Sequence, residues 1–113
     1  MASLSSAATA ELVKLAWDSG GRFEQSLSVP KGAFVEVCGR LEVGQTVAWK
    51  FRADNPLNFN IHYHEGKTVI YPEQRDAAQE LAGTLSVRIE QEYCWMWSNK
   101  TDTSSRIVVT MSK

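Results

Sequence analysis

His62 and His64 stand two apart in Phe59-Asn60-Ile61-His62-Tyr63-His64, and Cys94 and Met96 stand two apart in Tyr93-Cys94-Trp95-Met96-Trp97-Ser98-Asn99. In a β-strand alternate side chains leave opposite faces, so each pair shares one face of its strand. Two imidazoles, a thiolate and a thioether form the donor set of blue-copper electron-transfer centres and of soft Cu(I) sites. His62, His64, Cys94 and Met96 are therefore a candidate copper or zinc site. That chemistry requires the two strands to be neighbours in compatible register. The plainer reading is a polar sheet face that needs no cofactor, on which Cys94 is packed or paired and Met96 fills a gap. The spacing also departs from cupredoxins, whose Cys, His and Met ligands come from one terminal loop.

Other chemistry has less to stand on. Cys94 acting as a nucleophile with His62 or His64 would need an orienting acid. Glu65 and Asp102 are the candidates, and no nucleophile elbow surrounds the cysteine. No glycine loop of the phosphate-cradling kind occurs. Glu36, Glu42, Glu90 and Glu92 read as solvated strand faces. The chain is not expected to be an enzyme. Cys38 and Cys94 allow one disulfide, but a lone pair is not a disulfide framework; Cys38 reads equally as a free thiol or a spare ligand.

The elements that position these residues follow from the same alternation. Phe59, Ile61 and Tyr63 share the face opposite His62 and His64, and Tyr93, Trp95 and Trp97 the face opposite Cys94 and Met96; both sets read as core, as does Trp49. Ser5 to Trp17 carries Ala8, Leu12, Leu15 and Ala16 at helical spacing and predicts a short N-terminal helix, stopped by Asp18-Ser19-Gly20-Gly21. Strand signals follow: Phe23 to Val29, Ala33 to Cys38, Thr46 to Phe51, Asn58 to His64, Thr68 to Tyr71, Thr84 to Glu90, Tyr93 to Trp97 and Arg106 to Met111. Turns are expected at Pro30-Lys31-Gly32, Asp54-Asn55-Pro56 and Glu65-Gly66-Lys67. Glu73 to Gly83 and Ser98 to Ser105 read as polar loops. About eight short strands at this spacing predict an all-β fold, an antiparallel two-sheet β-sandwich of jelly-roll type. The expected division is a helix and linker over 1–21 and a single sandwich domain over 22–113.

Size and charge narrow the functions. The 113 residues suit one domain with its own core. Twelve basic against 13 acidic residues give a net charge of −1, and no basic tract offers a footprint for nucleic acid. No apolar run is long enough to span a membrane. The first ten residues lack the pattern of a secretory signal, so the protein is expected to be soluble and either cytoplasmic or exported after loss of a leader. Asn99-Lys100-Thr101 matches a glycosylation acceptor in an expected loop.

Three segments, in order, resemble the Golgi-dynamics (GOLD) domain. Val47-Ala48-Trp49-Lys50-Phe51 is similar to that family's v-x-W-x-F strand. Leu57-Asn58-Phe59-Asn60-Ile61-His62-Tyr63 is similar to its d-I-x-F-x-v strand, and Tyr93-Cys94-Trp95-Met96-Trp97-Ser98-Asn99 to its G-x-Y-x-f-x-f-x-N strand and turn. Gly83-Thr84-Leu85 fits the segment before that last strand, and the resemblance implies that Asn99 shapes the turn after it. The resemblance covers roughly Phe23 to Met111. Gln91 or Glu92 stands where the family favours glycine, and the membrane span and coiled coil of the cargo receptors are not seen. The resemblance implies a β-sandwich that mediates protein–protein or protein–membrane contacts without catalysis. The leading expectation is thus an interaction module that meets a protein or another ligand through loops, chiefly Glu73–Ala82 and Lys100–Arg106, or through a sheet face. The second is a small copper- or zinc-binding protein. Either is expected to be a monomer or a dimer paired through sheet edges.

Overall fold

The computed structural model describes residues 10–113. Seven strands form the fold: β1 (Ala10–Lys14), β2 (Arg22–Val29), β3 (Phe34–Leu41), β4 (Thr46–Glu65), β5 (Thr68–Ser86), β6 (Gln91–Ser98) and β7 (Ser105–Ser112). They make one hydrogen-bonded sheet in the order β1-β3-β6-β4-β7-β2, with β5 along the other side of β4. β1 runs parallel to β3, and the remaining neighbours are antiparallel. This mixed sheet curls into a half-barrel, and no helix occurs among the described residues. No helix there is long and apolar enough to cross a membrane.

The all-β expectation holds, but one continuous sheet stands in place of two separate antiparallel ones. The reason lies in β4. Its first half, Ala48 to Ala53, pairs with β7, and its second half, Asn58 to His62, pairs with β6. The expected turn at Asp54-Asn55-Pro56 is the crossing between those two pairings. Pro56 has no N–H to donate, and it sits where β4 has left β7 and has not yet met β6, so no ladder bond is lost there. The strand Thr68 to Tyr71 does not end at Pro72, and Glu73 to Gly83 is not a loop: both belong to β5. Among the described residues β5 has no strand neighbour but β4, and this open position tolerates Pro72, the positive φ of Ala77 and a run of charges.

The helix expected over Ser5 to Trp17 is corrected where the structure describes it, and its first part lies outside the described residues. Ala10–Lys14 is strand, paired to β3 from Ala10↔Phe34 to Lys14↔Cys38. Tertiary pairing outweighs helix propensity here. The Leu15 amide donates to the Cys38 carbonyl at 2.7 Å. Leu15 itself is buried over Gly39, where an added Cβ would lie 2.8 Å from the Leu15 Cβ.

The core is the concave face. Trp49, Phe59, Ile61, Tyr93, Trp95 and Trp97 are all buried, as read from their alternation, and Tyr63 is partly buried against them. Trp97 meets Phe51 edge-on at 5.5 Å and Phe59 at 5.4 Å between ring centroids. Tyr63 packs edge-on to Tyr93 at 5.1 Å. Trp49 lies over its register partner Gly83, where a Cβ would sit 2.6 Å from the indole. These rings fix β4 and β6 side by side, and so fix what stands on their opposite face.

Candidate functional site

The register of three central strands builds the site. Cys38 of β3 faces Cys94 of β6, and Cys94 faces His62 of β4. One step along, Glu36 faces Met96 and Met96 faces Asn60. Because these positions alternate with the core residues, both rows lie on the convex face. Cys38 and Cys94 form a disulfide, with Cα atoms 4.1 Å apart across the pair. Glu36 reaches over β6 and brings Oε1 to 3.4 Å from His62 Nε2. The other ring nitrogen, Nδ1, lies 2.7 Å from Asn60 Oδ1, which accepts its proton and leaves Nε2 facing Glu36. His64 meets the His62 ring edge-on at 5.4 Å, and Tyr71 lies 6.0 Å away.

The face is convex yet closely covered: His62 is 7% exposed and Cys94 8%. Burial, and then the neighbouring His64, hold the His62 imidazole below its ordinary pKa. Burial pushes the Glu36 carboxyl above the usual carboxylate range; His64 opposes that shift and Glu92 adds to it. Both shifts favour the uncharged form of each partner. Since the folded pKa of His62 lies below its unfolded value, the native state binds fewer protons in that window. Its contribution to stability is therefore complete above about pH 6.5 and is lost as pH falls through the lowered value. In a proton NMR titration the His62 ring is expected to have a midpoint below that of a free imidazole, and His64→Gln is expected to raise it. A midpoint unmoved by His64→Gln would contradict the assigned electrostatics.

A second constructed feature lies at one end of the sheet. Asn99, which is fully buried, uses its whole side-chain capacity. Its Nδ2 donates to the Val29 and Thr103 carbonyls, each at 2.8 Å. Its Oδ1 accepts from the Thr101 amide at 3.0 Å and the Thr101 hydroxyl at 2.6 Å. Its backbone carbonyl accepts from Gly32 in the β2–β3 turn. Asn55 of β4 closes the far side, with Nδ2 donating to the Thr103 hydroxyl at 2.8 Å. The loop between β6 and β7 is thus tied to β2, to the β2–β3 turn and to β4 while Lys100 and Asp102 stay exposed.

The sequence-read quartet therefore shares one face, on adjacent strands. His62 and Cys94 are direct cross-strand neighbours, while His64 and Met96 flank them along their own strands. Cys94 is bonded to Cys38, so its sulfur is neither a free nucleophile nor a thiolate in this state. Glu36 is the residue the sequence reading missed. It reads in sequence as a solvated carboxylate, yet it shares strand parity with Cys38, which places it on the same face as the disulfide, one position along the ladder. Neither Glu65 nor Asp102 is the acid at His62; Glu36 is. Among the described residues Glu36, His62 and Cys94 form a group whose ligand atoms lie within 4.8 Å of one another. Of the expected contact loops, Lys100–Arg106 is largely loop and Glu73–Ala82 is strand.

No protein-family model and no curated protein matches the chain in sequence. Solved structures match its fold. The periplasmic inhibitor of g-type lysozyme from Aeromonas hydrophila, PliG, superposes with a TM-score of 0.70 at 14% identity, over 94% of this chain and 98% of that one. The Salmonella Typhimurium PliG superposes at 0.62 and 11% identity, over 92% and 98%. The pre-peptidase C-terminal domain of a Bacillus anthracis collagenase superposes at 0.64 and 6% identity, over 96% and 100%. At these identities the likeness is one of fold: the chain shares the curled β-architecture of these domains along nearly its whole described length.

Proposed function

We propose that this protein is a non-catalytic module that binds a protein partner through the sheet end built around Asn99. The observation that carries the reading is the prebuilt loop. A buried asparagine with every donor and acceptor engaged holds the β6–β7 connection in one conformation before any partner arrives, which lowers the ordering cost of binding. The shared fold supports the same class of role, since the PliG proteins are described as inhibitors of an enzyme. The GOLD resemblance points the same way, with the two limbs of the curled sheet read as sandwich layers joined through β4. An oxidising compartment is part of the proposal, because a disulfide persists there.

A g-type lysozyme is the first partner to test. Calorimetric titration of the purified enzyme with this protein is expected to show saturable binding, weakened by the surface pair Lys100→Ala and Asp102→Ala. Asn99→Ala is expected to weaken it further and to cost about 1–3 kcal/mol of stability, because it strands the Val29 and Thr103 carbonyls and the Thr101 amide. No binding removes the lysozyme as partner. Binding indifferent to all three substitutions overturns the loop end as the contact surface.

A further inference from the structure

We propose that reduction of the Cys38–Cys94 disulfide opens a zinc site made by Cys38, Cys94, His62 and Glu36. This goes beyond the protein-binding reading and does not depend on it. It also differs from the sequence-read quartet, since Glu36 and Cys38 join His62 and Cys94 as ligands and His64 and Met96 stand beside them.

The oxidised face is already arranged for the metal except at sulfur. Tetrahedral zinc with nitrogen, oxygen and sulfur ligands sets neighbouring ligand atoms roughly 3.3–3.8 Å apart, given bonds of about 2.0–2.3 Å. His62 Nε2 and Glu36 Oε1 stand 3.4 Å apart. Cys38 Sγ lies 4.0 Å from the same Glu36 oxygen. The other sulfur, on Cys94, belongs with His62 and Glu36 to a group whose ligand atoms lie within 4.8 Å of one another. The two sulfurs are held together by their bond; once it is cut, side-chain rotation on strands with Cα atoms 4.1 Å apart can separate them to a ligand spacing.

The outer partner of the imidazole is also in place. A metal-bound histidine ordinarily donates its other ring proton to a fixed acceptor, which sets the tautomer and the ring plane. Asn60 Oδ1 at 2.7 Å from Nδ1 does this, and it leaves the Nε2 lone pair on the side of Glu36 Oε1. Two thiolates, a neutral imidazole and a carboxylate suit zinc in both charge and softness. Without thiolates the proposed four-ligand group keeps only the His62 imidazole and the Glu36 carboxylate, too few strong donors to hold the ion.

The step balances with a dithiol as reductant. Its two thiols become a disulfide and supply two electrons and two protons, and Cys38 and Cys94 become thiols. Zinc then displaces both thiol protons to solvent. By linkage the bound metal opposes reoxidation, because the disulfide state has lost its ligands.

The test uses the full chain, reduced without oxygen by a water-soluble phosphine, which takes oxygen from water as the disulfide is cleaved and leaves no thiol to chelate metal. Zinc(II) is titrated calorimetrically, and cobalt(II) reports sulfur ligation through its thiolate charge-transfer absorption. The reduced protein is expected to bind one equivalent with cobalt–thiolate bands, and the oxidised protein to bind neither ion stoichiometrically. Glu36→Gln leaves the cysteines intact and is expected to weaken zinc, and Asn60→Ala to weaken it by roughly 10–100-fold. His64→Ala is expected to leave affinity unchanged. Equal binding before and after reduction, absent thiolate bands, or a loss in His64→Ala matched by indifference to Glu36→Gln would each overturn the proposal. Tryptophan fluorescence follows the fold throughout. Should the metal-free reduced chain unfold, zinc is expected to restore the native spectrum, and its failure to do so counts against the site.

Discussion

Trp95→Ala is expected to lower the free energy of unfolding by about 3–5 kcal/mol. Trp95 is completely buried. It lies in the middle of β6, in register with Val37 on one side and Ile61 on the other. Truncation removes the largest kind of side chain from the centre of the concave face, and backbone ladders on both flanks resist the collapse that would refill the space. A rigid surround of that kind puts the cost at the upper end of such substitutions. Its Nε1 has no hydrogen-bond partner among the described residues, so no polar interaction seen there is lost with the ring. The same fact separates two variants. Trp95→Phe keeps much of the apolar volume and removes an unpaired buried donor, whose burial itself is unfavourable; it is expected to cost much less than the alanine change. Urea denaturation followed by circular dichroism measures both. A Trp95→Ala midpoint equal to that of the parent, at unchanged slope, would mean that the alternation does not place the ring in the core. Equal losses in the two variants would mean that the indole N–H is satisfied after all.

Where sequence logic succeeded, a single physical rule was enough. Period-two alternation puts Trp95 and Trp97 inward and Cys94 and Met96 outward without knowledge of any neighbour, and it does the same for Ile61 and His62. What alternation cannot carry is which strand lies beside which, because register is a property of pairs. The Cys38–Cys94 bond, the Glu36–His62 contact and the convergence of the donor set all depend on the order β3-β6-β4. Local punctuation also misled where a long strand changes partners. Asp54-Asn55-Pro56 has turn chemistry, yet at that point β4 needs no ladder donor on the side it is leaving, so the strand runs on. Pro72 and the polar stretch after it survive in β5 for the related reason that, among the described residues, β5 pairs with β4 alone. At the N-terminal side, alanine-rich residues favour helix in isolation, and the free edge of β3 captures Ala10–Lys14 as strand. Asn99 was legible as a turn residue, but its burial and its bond to the Val29 carbonyl depend on β2, far away in sequence.

Opening the disulfide is expected to cost about 4 kcal/mol, the chain-entropy value for a cross-link spanning a separation of 56 residues. The closed segment contains all of β4 and β5, so in the unfolded state the bond restrains half of the sheet. A domain of this size has a typical stability of roughly 5–15 kcal/mol. The reduced protein is thus expected to remain folded, closer to its limit. Urea denaturation with and without the phosphine checks this: the midpoint should fall and the slope should rise, because a reduced unfolded chain expands and exposes more surface. Cys38→Ala with Cys94→Ala should reproduce the shift within the small further cost of lost packing. A change below about 1 kcal/mol would show that the pairing of β3 with β6 already persists in the denatured chain and leaves the cross-link little to restrain. Zinc joins the two results. A ligand held only by the folded reduced state adds about 2.7 kcal/mol at a concentration a hundred times its Kd, so it should recover most of what the broken bond gives up. The alanine pair, which has no thiolate to offer, should recover nothing. The cysteines would then hold β3 and β6 together in either redox state, by a covalent bond when oxidised and through a shared ion when reduced.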